Sequence, residues 1–208
     1  MTTEHLYKRI IGYVDELNQD IGQLVAFVEQ EMDERRYESL PSAGGRISWS
    51  LSSAINRSTA WRLSNAIRFF IPRKVTKSEH SVFYLIHLET KSAFDFPPVL
   101  CCRVAHEALT ESEIYQARNV FNTALLATLV YRRSQWKSLR LENGWCIAEP
   151  NSQSAVQELR GYILNLFDID SRQRALENIV IPLTSGDDLD LDAALTVHKY
   201  LFPELSPE

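Results

Sequence analysis

The sequence predicts an α+β fold that is helix-rich, with a small antiparallel sheet of about three to four strands packed by long helices. Three observations carry that expectation. An apolar repeat at alternating steps of three and four runs from Tyr7 to Val28. Two short segments, 81–89 and 99–106, are almost continuously apolar and aromatic, the mark of strands with covered faces. Two capping boxes, Thr110 with Glu113 and Ser154 with Gln157, open further stretches with apolar residues at helical spacing.

The first helix spans Glu4 to about Tyr37. Tyr7, Val14, Ile21 and Val28 fall at heptad position a, and Ile10, Leu17 and Leu24 at d, a pattern compatible with a two-stranded coil. Ile11 and Val25 at e, with Tyr13 and Phe27 at g, widen the stripe beyond a narrow seam and suit packing on a globular core. Residues 1–40 therefore form a long helix that packs on the domain or mediates a homodimer, and residues 41–208 form a single α+β domain. Pro41, Gly44 and Gly45 mark the loop between them.

Ile47, Trp49 and Leu51 alternate with serines as a short strand would. From Ser58 the spacing changes. Leu63, Ala66, Ile67, Phe70 and Ile71 fit one face of a helix that Pro72 ends. Segments 81–89 and 99–106 follow as an antiparallel pair. A helix then opens at Thr110 and reaches Leu139, with Arg132, Arg133, Lys137 and Arg140 near its negative end. Asn143 and Gly144 make a turn before a third strand at Trp145–Ala148. Val156, Leu159, Ile163, Leu166 and Phe167 form the next helix. A shorter one runs from Ser171 to Val180 and stops at Pro182, and a last one follows the acids at 187–192.

Composition excludes several classes of function. Hydrophobic content of 45% and charged content of 24% are those of a soluble globular chain. Three cysteines, two of them adjacent, make no disulfide framework in 208 residues and point to a reducing, cytoplasmic setting. The N-terminus lacks a targeting pattern, and no apolar run approaches the ~18 residues of a membrane span. A membrane partner is not expected.

The metal-ligating residues follow no ligand spacing: His80, His87, His106 and His198 are scattered, without a Cys-x-x-Cys or His-x-x-x-His pair. His87 near Cys101 or Cys102 would be only a partial set. Asp188, Asp190 and Asp192 suggest a calcium loop, but Ala193 and Lys199 stand where it needs Gly and Glu. Neither a metal nor another cofactor is expected. Glu89 and Lys91 form the Glu-x-Lys of a magnesium-dependent nuclease without the further upstream Asp such a site needs. Cys146 has no histidine placed beside it by sequence. No catalytic residue is assigned and the chain reads as a non-enzyme, with a magnesium-dependent nuclease using Glu89 and Lys91 as a remote alternative that needs a third carboxylate beside Glu89.

One stretch departs from the rest. From Ser39 to Ser78 there is no Asp or Glu, while the chain as a whole carries 22 Lys and Arg against 27 acids. Seven cations lie in the stretch: Arg46, Arg57, Arg62, Arg68, Arg73, Lys74 and Lys77. Outside it, 15 cations face 27 acids, a net −12. Trp49 and Trp61, with Phe69 and Phe70, are interleaved among the cations. Arginine with aromatic residues serves protein interfaces, and it also serves single-stranded nucleic acid through phosphate pairing and base stacking. The expected function is a non-enzymatic cytoplasmic adaptor or regulatory protein that binds protein partners, including a second copy through the N-terminal helix. The alternative is binding of single-stranded nucleic acid or another polyanion through residues 46–77. Exposed, convergent arginines would favour that alternative; arginines paired with the chain's own acids would remove it.

Overall fold

The computed structural model describes residues 3–39, 48–49, 63–73, 77–88, 95–110, 112–114, 136–150 and 156–186. It begins with the expected long helix, α1 (Thr3–Glu34). Among the described residues, eight strands follow: β1 (Tyr37–Ser39), β2 (Ser48–Trp49), β3 (Leu63–Pro72), β4 (Ser78–His87), β5 (Pro98–Leu109), β6 (Trp136–Glu142), β7 (Trp145–Pro150) and β8 (Val156–Asn165). A 3-10 turn, Leu166–Asp168, leads to α2 (Arg172–Ala175), which continues through a π-turn, Leu176–Val180, into α3 (Ile181–Ser185).

All eight strands belong to one antiparallel sheet, ordered β1-β3-β4-β5-β8-β7-β6, with β2 also paired to β3. Six of them are the main strands and two are short pieces at the β3 edge. This overturns the expectation of a helix-rich chain around three or four strands. The pair β4–β5 and the strand β7 lie where the apolar runs placed them, and Asn143–Gly144 turns with both residues at positive φ, 51° and 80°. These are the left-handed conformations that a two-residue hairpin requires.

Three expected helices fail, for identifiable reasons. Residues 63–72 are β3, not a helix: Ala66 and Phe70 face one side while Phe69 and Ile71 face the other. A strand covered on both faces carries apolar residues at consecutive positions, which include the steps of three and four that suggest a helix. Residues 156–165 are β8. Ala105 pairs with Glu158 but His106 with Val156, a register shift that places Val156 in the same apolar cluster as Leu159 and Ile163. That extra residue in β8 creates a three-residue step inside a strand. The helix opened by Thr110 does not reach Leu139, because Trp136–Glu142 is β6. Its capping box is nevertheless formed: the Thr110 amide and hydroxyl both donate to Glu113 at 2.7 Å. The C-terminal helical run does not stop at Pro182. Pro182 lies in the first turn of α3, just after the π-turn, where its missing N–H leaves no gap. The expected loop at 41–45 and the last helix after residue 187 lie outside the described residues.

The sheet buries two apolar faces. On one, Ile21, Val25, Val28 and Met32 of α1 and Ile179, Val180 and Leu183 of the C-terminal run pack on Phe70, Val82, Tyr84, Ile86, Cys101, Trp145 and Tyr162. On the other, Phe69, Phe83, Leu85, Leu100, Cys102, Cys146, Leu159 and Ile163 cluster with Ile114 of a helical turn at 112–114. Polar clamps fix the C-terminal run to its face. Tyr162 donates its hydroxyl to the Asn178 carbonyl at 2.7 Å, and Arg103 donates to the Leu183 carbonyl at 2.6 Å. Among the described residues, no helix is long and apolar enough to cross a membrane.

Candidate protein-binding surface

α1 is 32 residues long, or ~48 Å at 1.5 Å per residue. Its second half explains its presence: Ile21, Val25, Val28 and Met32 are all essentially solvent-free against the sheet. Residues 10, 14 and 17 continue that same stripe toward the N-terminus. There the cover thins. Ile10 is 45% exposed and, on the flank, Tyr13 is 56% exposed, while Ile11, Val14 and Leu17 are half-buried. One apolar stripe is thus sealed over half the helix and only partly covered over the other, more open half, where Leu17 still packs against the core and Ile10 is exposed.

The open stripe leads into a groove of about 410 Å³ between α1 and the start of α2. Leu24, Phe27 and Ile169 give it apolar walls, and Asp20, Asp170 and Arg172 line it with charge. The Arg172 guanidinium lies 5.7 Å from the Phe27 ring centroid, a cation–π contact at the mouth of the groove. Higher on the helix, Arg9 donates to the Tyr13 hydroxyl at 3.1 Å and holds that exposed ring in place. Tyr13 and Phe27 stand out in the sequence as too apolar for heptad flanks, but the groove does not, because α2 reaches α1 only through the fold.

The basic stretch has a different fate. Arg68 donates to Glu29 at 2.5 Å, and Arg73 pairs with Asp33. Both acids belong to α1, so these two cations neutralise the helix that packs beside them. Lys77 is exposed. Phe69 and Phe70 are core residues on opposite faces of β3. For Trp49 the structure describes only its place in β2, opposite Leu63. Arg46, Arg57, Trp61, Arg62 and Lys74 lie outside the described residues, as do Glu89 and Lys91. Arg140, expected at a helix end, sits on β6 and reaches Glu149 of β7 at 2.8 Å and Glu158 of β8 at 3.4 Å, a cross-strand charge cluster.

Among the described residues, the three buried thiols are held in the protonated form. Burial pushes the Cys101 and Cys146 thiols up to about 12, and raises Cys102 well above the ordinary thiol value with its two thiol neighbours adding to the shift. None is a thiolate nucleophile at neutral pH. His80 and His106 are both lowered, chiefly by burial. Cys101 and Cys102 point to opposite faces of the sheet, so the pair cannot serve one site with His87. Among the described residues, no group of three His, Cys, Asp or Glu side chains is placed to hold a metal ion.

No family model, curated protein or solved structure matches this chain.

Proposed function

We propose that this chain is a non-enzymatic protein-binding module acting in the cytoplasm, and that its contact surface is the open half of the α1 stripe with the adjoining groove. The observation that carries this reading is the change of cover along one stripe: Ile21 is 2% exposed, whereas Ile10, three turns earlier on the same side, is 45% exposed. An amphipathic helix that outruns its own domain presents anchors at helical spacing, the form in which helices engage protein grooves or other helices. Tyr13, held by Arg9, adds an aromatic anchor of the kind enriched at contact hot spots. Three free, buried thiols support a reducing compartment.

The pairing of Arg68 with Glu29 and of Arg73 with Asp33 weighs against a phosphate-binding role for those two arginines. A cation already neutralised at contact distance has less charge to offer a phosphate.

The test is a photo-crosslinking side chain placed at Tyr13 in cells, with a second placed at Gln30 as a control on the far half of the helix. Protein adducts at Tyr13 and few at Gln30 are expected. Adducts only to nucleic acid, or equal adducts at both positions, overturn the reading.

A further inference from the structure

We infer that Arg103 is the centre of a binding site for a phosphate-type oxyanion, on the sheet face where α3 ends. This site shares no residue with the α1 surface. Among the described residues, four arginines are partly buried: Arg35, Arg68, Arg103 and Arg160. Three of them hold an acid at contact distance: Arg35 with Glu31 at 2.6 Å, Arg68 with Glu29 at 2.5 Å, and Arg160 with Glu158 at 2.6 Å. Arg103 pairs with no acid among the described residues. Its Nη1 donates to the Leu183 carbonyl at 2.6 Å, which satisfies one nitrogen and leaves the charge uncompensated. Taking a charge partly out of water without a counter-charge is costly. A chain with 27 acids against 22 cations had acids to spare for it.

The neighbours of Arg103 add to that cost. Arg160 of β8 is its direct cross-strand partner, and like charges placed opposite one another on one face repel. His80 of β4 lies opposite Ala105, two residues along β5 from Arg103, with its Nε2 3.4 Å from the Tyr37 hydroxyl. Burial and then the Arg103 charge lower the His80 pKa, His106 adds to this, and Glu79 opposes it. The other acids of this face are committed elsewhere: Glu158 serves Arg160 and Arg140, while Glu149 and Glu142 serve Arg140. A local conflict of this kind, with no compensating contact, is what a functional position shows.

An oxyanion removes the conflict. Arg103 has Nε and Nη2 outside its bond to Leu183, and Arg160 has both terminal nitrogens outside its bond to Glu158. Forked guanidinium donors match the oxygens of a phosphoryl group. Arg103, Ala105 and Arg160 are each partly exposed, so the site opens to solvent. Gly186 leaves room above the guanidinium, where a Cβ would come within 3.0–3.2 Å of it.

Nitrogen-15 NMR of the full chain, titrated with inorganic phosphate at constant ionic strength, tests this. Saturable shifts are expected at the amides of Arg103, Arg160 and Gly186. The His80 titration should move upward as the anion offsets the Arg103 charge. Arg103→Met should weaken phosphate binding roughly tenfold or more, Arg160→Met should weaken it less, and Arg140→Met should leave it unchanged. Arg103→Lys keeps the charge without the fork and should recover part of the affinity. Far-ultraviolet circular dichroism checks that each variant keeps its fold. O-phosphoserine is the second probe: tighter binding than phosphate assigns the site to a phosphorylated protein, and weaker binding assigns it to the free anion. Shifts that grow without saturation, or affinity that survives Arg103→Met, overturn the proposal and leave Arg103 as a clamp on Leu183 alone. Crosslinking at Tyr13 reads the α1 surface separately, so either result stands without the other.

Discussion

Arg68 of β3 donates through Nε to Glu29 of α1 at 2.5 Å, and this pair ties the helix to the edge half of the sheet. The two ends differ in cover: the Arg68 side chain is 11% exposed and that of Glu29 38%. Arg68 also donates to the Ile67 carbonyl at 3.0 Å. Removing the acid leaves a nearly buried cation, so Glu29→Ala should cost ~1–2 kcal/mol. The double variant Arg68→Met, Glu29→Ala should cost less than the sum of the two single changes, with a coupling of ~1 kcal/mol in urea unfolding. Additive losses would show that the contact contributes nothing of its own.

Gly186 ends α3 at φ 72°, and a Cβ built there meets the Arg103 guanidinium at 3.0–3.2 Å. The same guanidinium donates to the Leu183 carbonyl. Gly186→Ala should therefore destabilise by ~1–2 kcal/mol, from left-handed backbone strain together with displacement of Arg103. Gly12 in α1 is the contrast, since an added Cβ meets nothing within 4 Å. Gly12→Ala should stabilise by ~0.5–1 kcal/mol. Thermal unfolding of the two variants beside the wild type reads both signs, and equal shifts in the same direction would refute the assignment.

Burial lowers the pKa of His80, with Arg103 and then His106 adding to the effect and Glu79 opposing it. Burial likewise lowers His106, against its bond to the Glu107 carbonyl and the charge of Glu79. Both rings are neutral in the fold at a pH where the unfolded chain, with histidine near 6.5, begins to take up protons. Their contribution is intact above that value and is lost as pH falls from there through the folded-state values. The urea midpoint should hold steady from pH 8 to about 6.5 and decline below it. In the variant with both His80→Gln and His106→Gln, the decline between about pH 6.5 and 5 should flatten. An unchanged slope would assign the acid sensitivity to other groups.

The three thiols give a simple chemical readout. With Cys101 and Cys146 pushed up to about 12 and all three side chains buried, an aromatic disulfide reagent at neutral pH should label none of them in the native chain. In denaturant it should label all three. Rapid labelling of even one native thiol would place it in an opening the fold does not contain.

The sequence made some of this legible and hid the rest for physical reasons. The Asn143–Gly144 hairpin and the Thr110–Glu113 cap were readable because turns and caps depend on a few neighbouring residues. The β4 and β5 runs were readable because they are too short and too apolar to be surface helices. Strand β3 was misread because its two covered faces erase the alternation that marks a strand. Strand β8 was misread because Gln157, the extra residue opposite the Ala105–His106 step, turns a two-residue period into a three-residue one. The pairing of Arg68 and Arg73 with α1 could not be read, because partners 39 and 40 positions apart meet only once the strand and helix are in place. The heptad pattern of α1 held information of another sort. It was continuous along the helix, and only the fold divides it into a covered half and an open one.

The sheet is closed at its middle by strands from distant parts of the chain: Pro98 of β5 lies opposite Asn165 of β8. A ribosome releases β3, β4 and β5 as one meander long before β8 emerges, and until then β5 is an edge with unpaired backbone groups and an apolar row on each side. Such an edge invites pairing with another chain. The protein therefore passes through an obligatory period of vulnerability during its own synthesis. A cut between β5 and β6 would leave β5 in one piece and β8 in the other, splitting the central seam of the sheet.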